Sequence, residues 1–189
     1  MDAVAEALTA LAREHFLPDA ERGQAAYDGP LPIGHGQTNS QPRTVADMLR
    51  LLDVRPGQRV LDVGSGSGWT TALLGRLVGP TGTVIGVERV PELVAFGAAN
   101  LVSTDQPWTR IEQALDGTFG WPEEAPYDRI LVSAEATVLP RSLVEQLVAD
   151  QESPGRLVIP VAGEMVLVER TGSAERVTRH GRYRFVPLL

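Results

Sequence analysis

The sequence lacks two of the most reactive side chains. Its 189 residues include no cysteine, and all 17 basic residues are arginine, so lysine is absent as well. Without cysteine there is no thiol nucleophile, no disulfide and no cysteine-based zinc or iron–sulfur site. Without lysine there is no Schiff base, no covalently held pyridoxal cofactor and no phosphate-binding P-loop, which needs Gly-Lys-Ser/Thr. A large part of the enzyme repertoire is excluded before any motif is considered.

Positive charge and long apolar runs are also scarce. The 17 basic residues face 24 acidic ones, and the net charge of −7 argues against general affinity for nucleic acid or anionic membranes. Residues 170–184 hold five arginines, a local basic segment that we interpret as a solvated edge strand or turn. No apolar run reaches the roughly 18 residues of a membrane span. Asp2 and Glu6 lie where a signal peptide carries positive charge. We expect a cytoplasmic protein without nucleic-acid or membrane partners.

The length and the 43% hydrophobic share indicate one globular domain. Residues 2–16 have the pattern of an amphipathic helix, and glycines and prolines predict an irregular chain over residues 17–36. Ser40 is placed to cap a following helix that has Pro42 in its first turn. The N-terminal part is therefore expected to be a helical extension of the domain.

From residue 59 onwards, short apolar strands alternate with helices. Strands are predicted at 59–63, 83–87, 108–115, 129–133 and 156–161, helices at 68–78, 91–101 and 139–147, and closing antiparallel strands at 165–170 and 177–186. Such alternation predicts an α/β fold with a Rossmann-like, doubly wound and mostly parallel sheet.

The most informative segment is residues 60–68, where an apolar strand runs into a glycine-rich turn and a helix. Glycines let the backbone approach a ligand, and the helix N-terminus offers free N–H groups. Asp62 lies within the strand, where an NAD site usually has an apolar residue. Glu88 ends the next strand, where a carboxylate can bind both hydroxyls of a ribose. No catalytic His, Tyr-Lys pair or metal-ligand cluster accompanies the turn, so an NAD dehydrogenase is disfavoured and no metal is expected.

This combination resembles the S-adenosylmethionine-dependent methyltransferases of the Rossmann-like class. The resemblance implies that the glycine turn flanks the methionine part of the cofactor, that Glu88 binds the ribose, and that the next loop meets the adenine. By position, the implied cofactor residues of the core are Asp62, Gly64, Ser65, Gly66, Glu88, Arg89, Asp116 and Gly117.

A narrower resemblance rests on residues 32–42, Pro-Ile-Gly-His-Gly-Gln-Thr-Asn-Ser-Gln-Pro. They resemble the signature segment of protein-L-isoaspartate O-methyltransferases, Gly-x-Gly-Gln-Thr-Ile-Ser-x-Pro. Residues 116–121, 125–130, 146–161 and 185–188 fit the same family in order. The resemblance implies methylation of the L-isoaspartyl carboxylate in proteins or peptides, followed by succinimide formation and repair. It divides the domain into residues 1–55, with helices and the active-site segment, and residues 56–189, the cofactor-binding core.

The implied reaction suits a chain without cysteine or lysine. A carboxylate is ionised at neutral pH and needs no general base, so the enzyme must supply alignment and exclude water. Ser40 matches the active-site serine of the family, and we expect its hydroxyl to position the acceptor carboxylate, a role compatible with helix capping. Gln37, Thr38 and Asn39 would form a lid over the cofactor.

Four features depart from the family pattern. Asn39 stands where the family usually has Ile, and Arg43 stands where an aromatic residue or His is usual and can pair with an acidic substrate. Glu135 replaces a small apolar residue, and we expect its side chain to face solvent. The loop after Pro160 is short and lacks the family's glycine-rich loop. His35, within the signature segment, is a further candidate substrate contact.

These departures leave the acceptor open. The protein is a repair enzyme, or a relative that methylates one aspartate of a dedicated partner peptide. A third alternative is a catalytically silent binding protein that keeps the fold. Whether the chain is a monomer or an oligomer also stays open.

Overall fold

The computed structural model describes residues 2–188 and contains a seven-stranded sheet, a separate hairpin and six α-helices within that range. The helices are α1 (Ala3–Ala10), α2 (Asp19–Arg22), α3 (Pro42–Leu52), α4 (Trp69–Val78), α5 (Pro91–Val102) and α6 (Arg141–Glu145). The strands are β1 (Leu31–Gly34), β2 (Gln37–Asn39), β3 (Arg59–Val63), β4 (Thr83–Glu88), β5 (Thr109–Gln113), β6 (Arg129–Val132), β7 (Gly155–Val161), β8 (Glu164–Thr171) and β9 (Ala174–Arg182). Short 3₁₀ turns cover Arg13–Phe16 and Pro122–Glu124.

The large sheet has the strand order β5-β4-β3-β6-β7-β8-β9. Neighbouring strands from β5 to β7 are parallel, and β8 and β9 are antiparallel additions. The predicted doubly wound, mostly parallel sheet with antiparallel closing strands is confirmed. Because β3 lies between β4 and β6, the direction of winding changes there, and ligands of such sheets bind at the carboxyl ends of the strands beside this point.

Both faces of the sheet are buried by apolar side chains. Alternate residues of each strand point to opposite faces, so Val158 belongs to one cluster while Leu157 and Ile159 belong to the other. Helix α1 packs on α4, and α3 packs on β6 and β7. The N-terminal residues thus share a core with the rest of the described chain.

The predicted helix over residues 2–16 is wrong in its second half, because α1 ends at Ala10. In a continuing helix the carbonyl of Leu11 would accept a bond from the N–H of residue 15. Instead the indole Nε1 of Trp69 donates to that carbonyl at 3.0 Å. The following 3₁₀ turn directs Arg13 inwards, where only 5% of the residue is exposed.

The prediction of an irregular chain up to residue 36 missed the hairpin formed by β1 and β2. Its turn contains three successive residues with positive φ, Gly34 (92°), His35 (53°) and Gly36 (73°). Glycine adopts this region readily, so the residues that suggested irregularity are the ones that make the tight turn possible.

The expectation that Ser40 caps α3 is also wrong. The helix begins at Pro42, and its N-cap is Gln41, with no side-chain cap bond. Proline fits the first helical position because it has no N–H to satisfy. Other differences are at element ends: α6 is shorter than the predicted 139–147, and β9 ends at Arg182 rather than at residue 186.

The basic segment is largely strand β9, which is exposed at the edge of the sheet, as predicted. Among residues 2–188, no helix is long and apolar enough to cross a membrane. The same residues contain no cluster of three His, Asp or Glu side chains that could hold a metal ion.

Candidate active site

A cavity of about 420 Å³ opens at the carboxyl ends of β3, β4 and β6, with the hairpin on one side. This is the switch point of the sheet, so the topology alone favours a ligand site here. Ten of the residues selected from the sequence line the cavity, namely His35, Gln37, Thr38, Asn39, Ser40, Gly64, Ser65, Gly66, Glu88 and Arg89.

The turn between β3 and α4 depends on glycine. Gly64, Gly66 and Gly68 have positive φ values of 77°, 51° and 83°. A Cβ atom at Gly68 would lie 2.9 Å from the carbonyl oxygen of Gly97, and one at Gly66 would lie 3.1 Å from Cδ1 of Ile33. The turn therefore packs its backbone against α5 and the hairpin, which leaves the N-terminal end of α4 facing the cavity.

Glu88 is fixed by backbone donors at the end of β4. Its Oε2 accepts from the N–H of Gly66 at 3.0 Å, and its Oε1 accepts from the N–H groups of Arg89 and Val90 at 2.7 and 3.0 Å. A carboxylate has about four acceptor positions, so capacity remains on the cavity side for a hydroxyl group. Glu88 thereby ties the glycine turn to the neighbouring strand.

Asp62 was selected as a cofactor residue, but it lies beneath the turn and does not line the cavity. Its Oδ2 accepts from the hydroxyls of Thr70 and Thr71, both at 2.7 Å. Its Oδ1 has no hydrogen-bond partner within the described part of the chain. Burial raises the pKa of the Asp62 carboxyl to about 6. The hydrogen bonds from the two threonine hydroxyls lower this pKa, but the effect of burial is larger. Asp62 supports the turn from below.

Arg13 organises the active-site segment, a role that no sequence signal indicated. Its Nη2 donates to the carbonyl oxygens of Gly29, Asn39 and Ser40, and its Nη1 donates to that of Tyr27, all at 2.8–3.0 Å. Burial lowers the pKa of its guanidinium. The predicted amphipathic pattern placed this residue on a polar face, whereas the structure uses it as a buried clamp.

Asn39 connects this clamp to the glycine turn. Its Oδ1 accepts from Nε of Arg13 at 2.7 Å, and its Nδ2 donates to the hydroxyl of Ser67 at 3.0 Å. The guanidinium also lies 5.7 Å from the ring centroid of Trp69, a cation–π contact. Both the oxygen and the nitrogen of the amide that departs from the family pattern are therefore bound inside the protein.

Ser40 lines the cavity and is half-buried. Its backbone carbonyl is held by Arg13. Its hydroxyl makes no hydrogen bond to another group of residues 2–188, so the hydroxyl is available to a ligand. Since Ser40 does not cap α3, its side chain has no competing structural role there.

Four other selected residues lie outside the cavity. Arg43 is exposed, and its Nε lies 3.4 Å from Oδ2 of Asp28. Asp116 and Gly117 flank the lining, which instead includes Ala114, Thr118, Phe119 and Gly120 from this part of the chain. Glu135 lines a second, open cavity rather than the first.

The sequence also missed the C-terminal contribution to the site. Val186, Pro187 and Leu188 line the cavity. The N–H of Glu135 donates to the carbonyl of Val186 at 2.7 Å, and the N–H of Leu188 donates to the carbonyl of Glu135 at 2.8 Å. Residues far apart in sequence thus form one wall.

The comparisons with known proteins agree with this geometry. The family described as protein-L-isoaspartate(D-aspartate) O-methyltransferase matches residues 1–189. The protein-L-isoaspartate O-methyltransferase of Methanopyrus kandleri is 50% identical over 98% of this chain and 83% of its own length. The chain belongs to the protein-L-isoaspartate(D-aspartate) O-methyltransferase family.

Solved structures lead to the same family. A protein-L-isoaspartate O-methyltransferase superposes with a TM-score of 0.88 at 25% identity, covering all of this chain and 61% of that longer one. A second structure, of a putative protein-L-isoaspartate O-methyltransferase from Plasmodium falciparum in complex with S-adenosyl-L-homocysteine, superposes with a TM-score of 0.84 at 30% identity. The match covers 100% of this chain and 91% of that chain. The comparisons confirm four predictions for this chain: the family, the fold, the enzyme class and the dependence on S-adenosylmethionine.

Proposed function

We propose that this protein transfers a methyl group from S-adenosylmethionine to the free carboxylate of L-isoaspartyl residues in proteins or peptides. The observation that carries the proposal is the meeting of two parts in one cavity. The glycine turn and Glu88 form one side, and Ser40, on a segment clamped by Arg13, forms another.

The cofactor side of the cavity fits S-adenosylmethionine. A side chain at Gly66 would press against Cδ1 of Ile33, so glycine keeps this side of the cavity open. The buried hydroxyl of Ser65 has no partner within residues 2–188, so it can receive a polar group of a ligand. Glu88 would accept the ribose hydroxyls, and Arg89 would lie beside the adenine. Asp116 and Gly117 stay predicted adenine contacts. When bound, the cofactor supplies an electrophilic methyl group on a sulfonium.

The acceptor side needs only to place an oxygen atom. The isoaspartyl carboxylate is already ionised at neutral pH, so no side chain has to remove a proton. We assign to the Ser40 hydroxyl a hydrogen bond that orients this carboxylate towards the methyl group. Gln37, Thr38 and Asn39 would cover the cofactor and exclude water, and His35 would contact the substrate.

The further course of the reaction belongs to the chemistry of the product. A methyl ester expels methoxide far more readily than a carboxylate expels oxide, so the next backbone nitrogen can attack the ester carbonyl, release methanol with its own proton and close a succinimide. Water then opens the succinimide, partly to normal aspartate. We propose repair of damaged proteins as the purpose. The cytoplasmic location and the absence of a nucleic-acid partner remain predictions from the acidic composition.

An assay with labelled S-adenosylmethionine and two peptides of identical sequence tests the proposal. One peptide contains L-isoaspartate and the other normal aspartate at the same position. We expect label on the isoaspartyl peptide alone. Label on the aspartyl peptide alone would instead indicate a dedicated peptide-modifying enzyme. Calorimetry with S-adenosylhomocysteine tests the alternative of a catalytically silent protein that only keeps the fold. Absence of binding at millimolar ligand would support that alternative and contradict catalysis.

A further inference from the structure

A second cavity, of about 750 Å³, lies on the other side of the C-terminal segment. We call it the flanking groove; its lining includes Glu135, Gly163, Arg182, Tyr183, Arg184 and Pro187. Pro187 lines the active-site cavity as well. The groove is therefore adjacent to the active-site cavity, with Pro187 between the two.

The groove is open because the connection between β7 and β8 is very short. Only Ala162 and Gly163 separate the two strands, and both have positive φ, 48° and 82°. The same connection lacks the longer glycine-rich loop of the family pattern noted in the sequence. A longer loop at this edge would occupy space beside Arg182 and Tyr183, since Gly163 itself lines the groove.

The arginines of the groove differ from their neighbours on the basic segment. Arg176 and Arg179, on β9, lie 3.9 and 3.0 Å from carboxylate oxygens of Glu169 and Glu164. For Arg182 and Arg184, no carboxylate side chain of residues 2–188 lies within 4 Å, and both are exposed. Their guanidinium groups are available to a partner.

The groove thus has a local charge opposite to that of the protein. Its lining carries two guanidinium groups and one carboxylate, that of Glu135, in a chain of net charge −7. Two further carboxylates lie nearby without lining the groove: Asp47 accepts from the Tyr183 hydroxyl at 3.3 Å, and Glu164, the cross-strand neighbour of Arg182, is paired with Arg179. Opposite charges at a rim select partners and speed their encounter.

We propose that the flanking groove binds the segment of the substrate chain next to the isoaspartyl residue and that Arg182 and Arg184 select acidic side chains in that segment. The inference rests on the proposed function, and it names the class of substrate. A polypeptide whose isoaspartyl carboxylate enters the active-site cavity would continue past Pro187 into the groove. Glu135 opposes this selection and limits its strength.

The test compares two isoaspartyl peptides of equal length, one with glutamates and one with glutamines on both sides of the isoaspartyl residue. We expect wild type to prefer the acidic peptide in kcat/KM, and the R182Q/R184Q double variant to lose about fivefold on this peptide, as for two exposed ion pairs. The neutral peptide should be methylated at an unchanged rate. E135Q should raise kcat/KM for the acidic peptide, and added salt should reduce the wild-type preference.

Arg176→Gln is the matched control, because it removes the same charge from the same basic segment away from the groove. An equal effect of R176Q on the preference, or an equal loss on the neutral peptide in the double variant, would overturn the proposal. A wild-type dimer by light scattering that dissociates in the double variant would assign the groove to a second copy instead. If neither peptide accepts methyl, the proposed function fails, and anisotropy with the same labelled peptides still decides for or against the groove.

Discussion

At the scale of single residues, Ser40 bears the most specific expectation. Its hydroxyl lines the cavity without a hydrogen bond to residues 2–188, while its backbone is fixed by Arg13. Ser40→Ala removes one donor to the acceptor and leaves the cofactor side intact. We expect kcat with an isoaspartyl peptide to fall by about tenfold or more, with S-adenosylhomocysteine affinity unchanged within about twofold.

The measurements for Ser40→Ala are peptide kinetics and calorimetry with S-adenosylhomocysteine. The exposed Ser173, in the turn between β8 and β9, gives a control variant that should change neither quantity. Equal losses in turnover and cofactor affinity would contradict the positioning role and would indicate instead that Ser40 supports the cavity as a whole.

Asp62 gives a pH prediction at the same scale. Burial raises its pKa from an ordinary value near 3.8 to about 6. Between these values the folded state binds more protons than the unfolded state, so this group lowers the free energy of unfolding as pH rises from about 4 to about 6. The loss is on the order of 3 kcal/mol. Asp62→Asn removes the titration and should remove this part of the pH dependence.

Urea unfolding of wild type and D62N at pH 4, 5, 6 and 7 measures the effect as a difference between the two proteins. As pH rises, the free energy of unfolding of D62N should increase relative to that of wild type, and the difference should become constant above about pH 7. The exposed Asp105 supplies the control D105N, which also lacks one carboxylate. A difference that does not depend on pH would contradict the account.

At the scale of elements, the hairpin and the glycine turn act together. Gly66 lies where a Cβ would approach Cδ1 of Ile33 to 3.1 Å, and its N–H donates to Glu88. A substitution here disturbs the position of the hairpin and of Glu88, the proposed ribose ligand, at once. The hairpin and the glycine turn therefore meet beside the cavity through the side chain of Ile33.

Gly66→Ala should weaken S-adenosylhomocysteine binding by about tenfold or more, as measured by calorimetry. Gly57→Ala is the control, because Gly57 also has positive φ, 83°, but a Cβ there would meet only Oγ1 of Thr81, at an ordinary 3.6 Å, away from the cavity. Both variants carry backbone strain of about 1 kcal/mol or more. Equal effects of both on affinity would attribute the loss to general destabilisation.

At the scale of the whole molecule, the proposed division into residues 1–55 and 56–189 concerns function rather than folding. Besides Ala7 and Ala46, six larger N-terminal side chains belong to the core shared with the sheet: Val4, Phe16, Val45, Met48, Leu49 and Leu52. Burying each stabilises by about 2 kcal/mol, so together they contribute on the order of 10 kcal/mol. This is comparable to the whole stability of a typical domain, roughly 5–15 kcal/mol.

We therefore expect residues 56–189 alone not to fold cooperatively, and the full chain to unfold in one transition. Calorimetry and near-ultraviolet circular dichroism of both chains measure this. A sharp thermal transition and a native-like near-ultraviolet spectrum for residues 56–189 would show that the core is independent of its N-terminal extension.

Predictions from the sequence were accurate where local pattern and chemistry coincide. Strand β3 was predicted with its observed bounds, because apolar residues and a glycine turn are both local signals. Glu88 and the signature residues His35 and 37–40 were likewise picked out by local pattern, and the structure brings them to one cavity, while their roles there stay predictions. Predictions failed where a distant group binds a backbone atom: α1 ends at Ala10, the indole of Trp69 binds the carbonyl of Leu11, and no pattern within residues 2–16 contains this information.

The sequence by itself determined the family and the parallel sheet, and it predicts the cofactor turn and a chemistry that requires no cysteine or lysine. Only the tertiary structure decided that Arg13 clamps the active-site segment, that Asp62 supports the turn from beneath, and that Glu135 and the arginines near the C-terminus share a groove. The reason is physical. Periodicity and turn residues act over a few positions, whereas burial, hydrogen-bond partners and local charge depend on which distant segments the fold brings together.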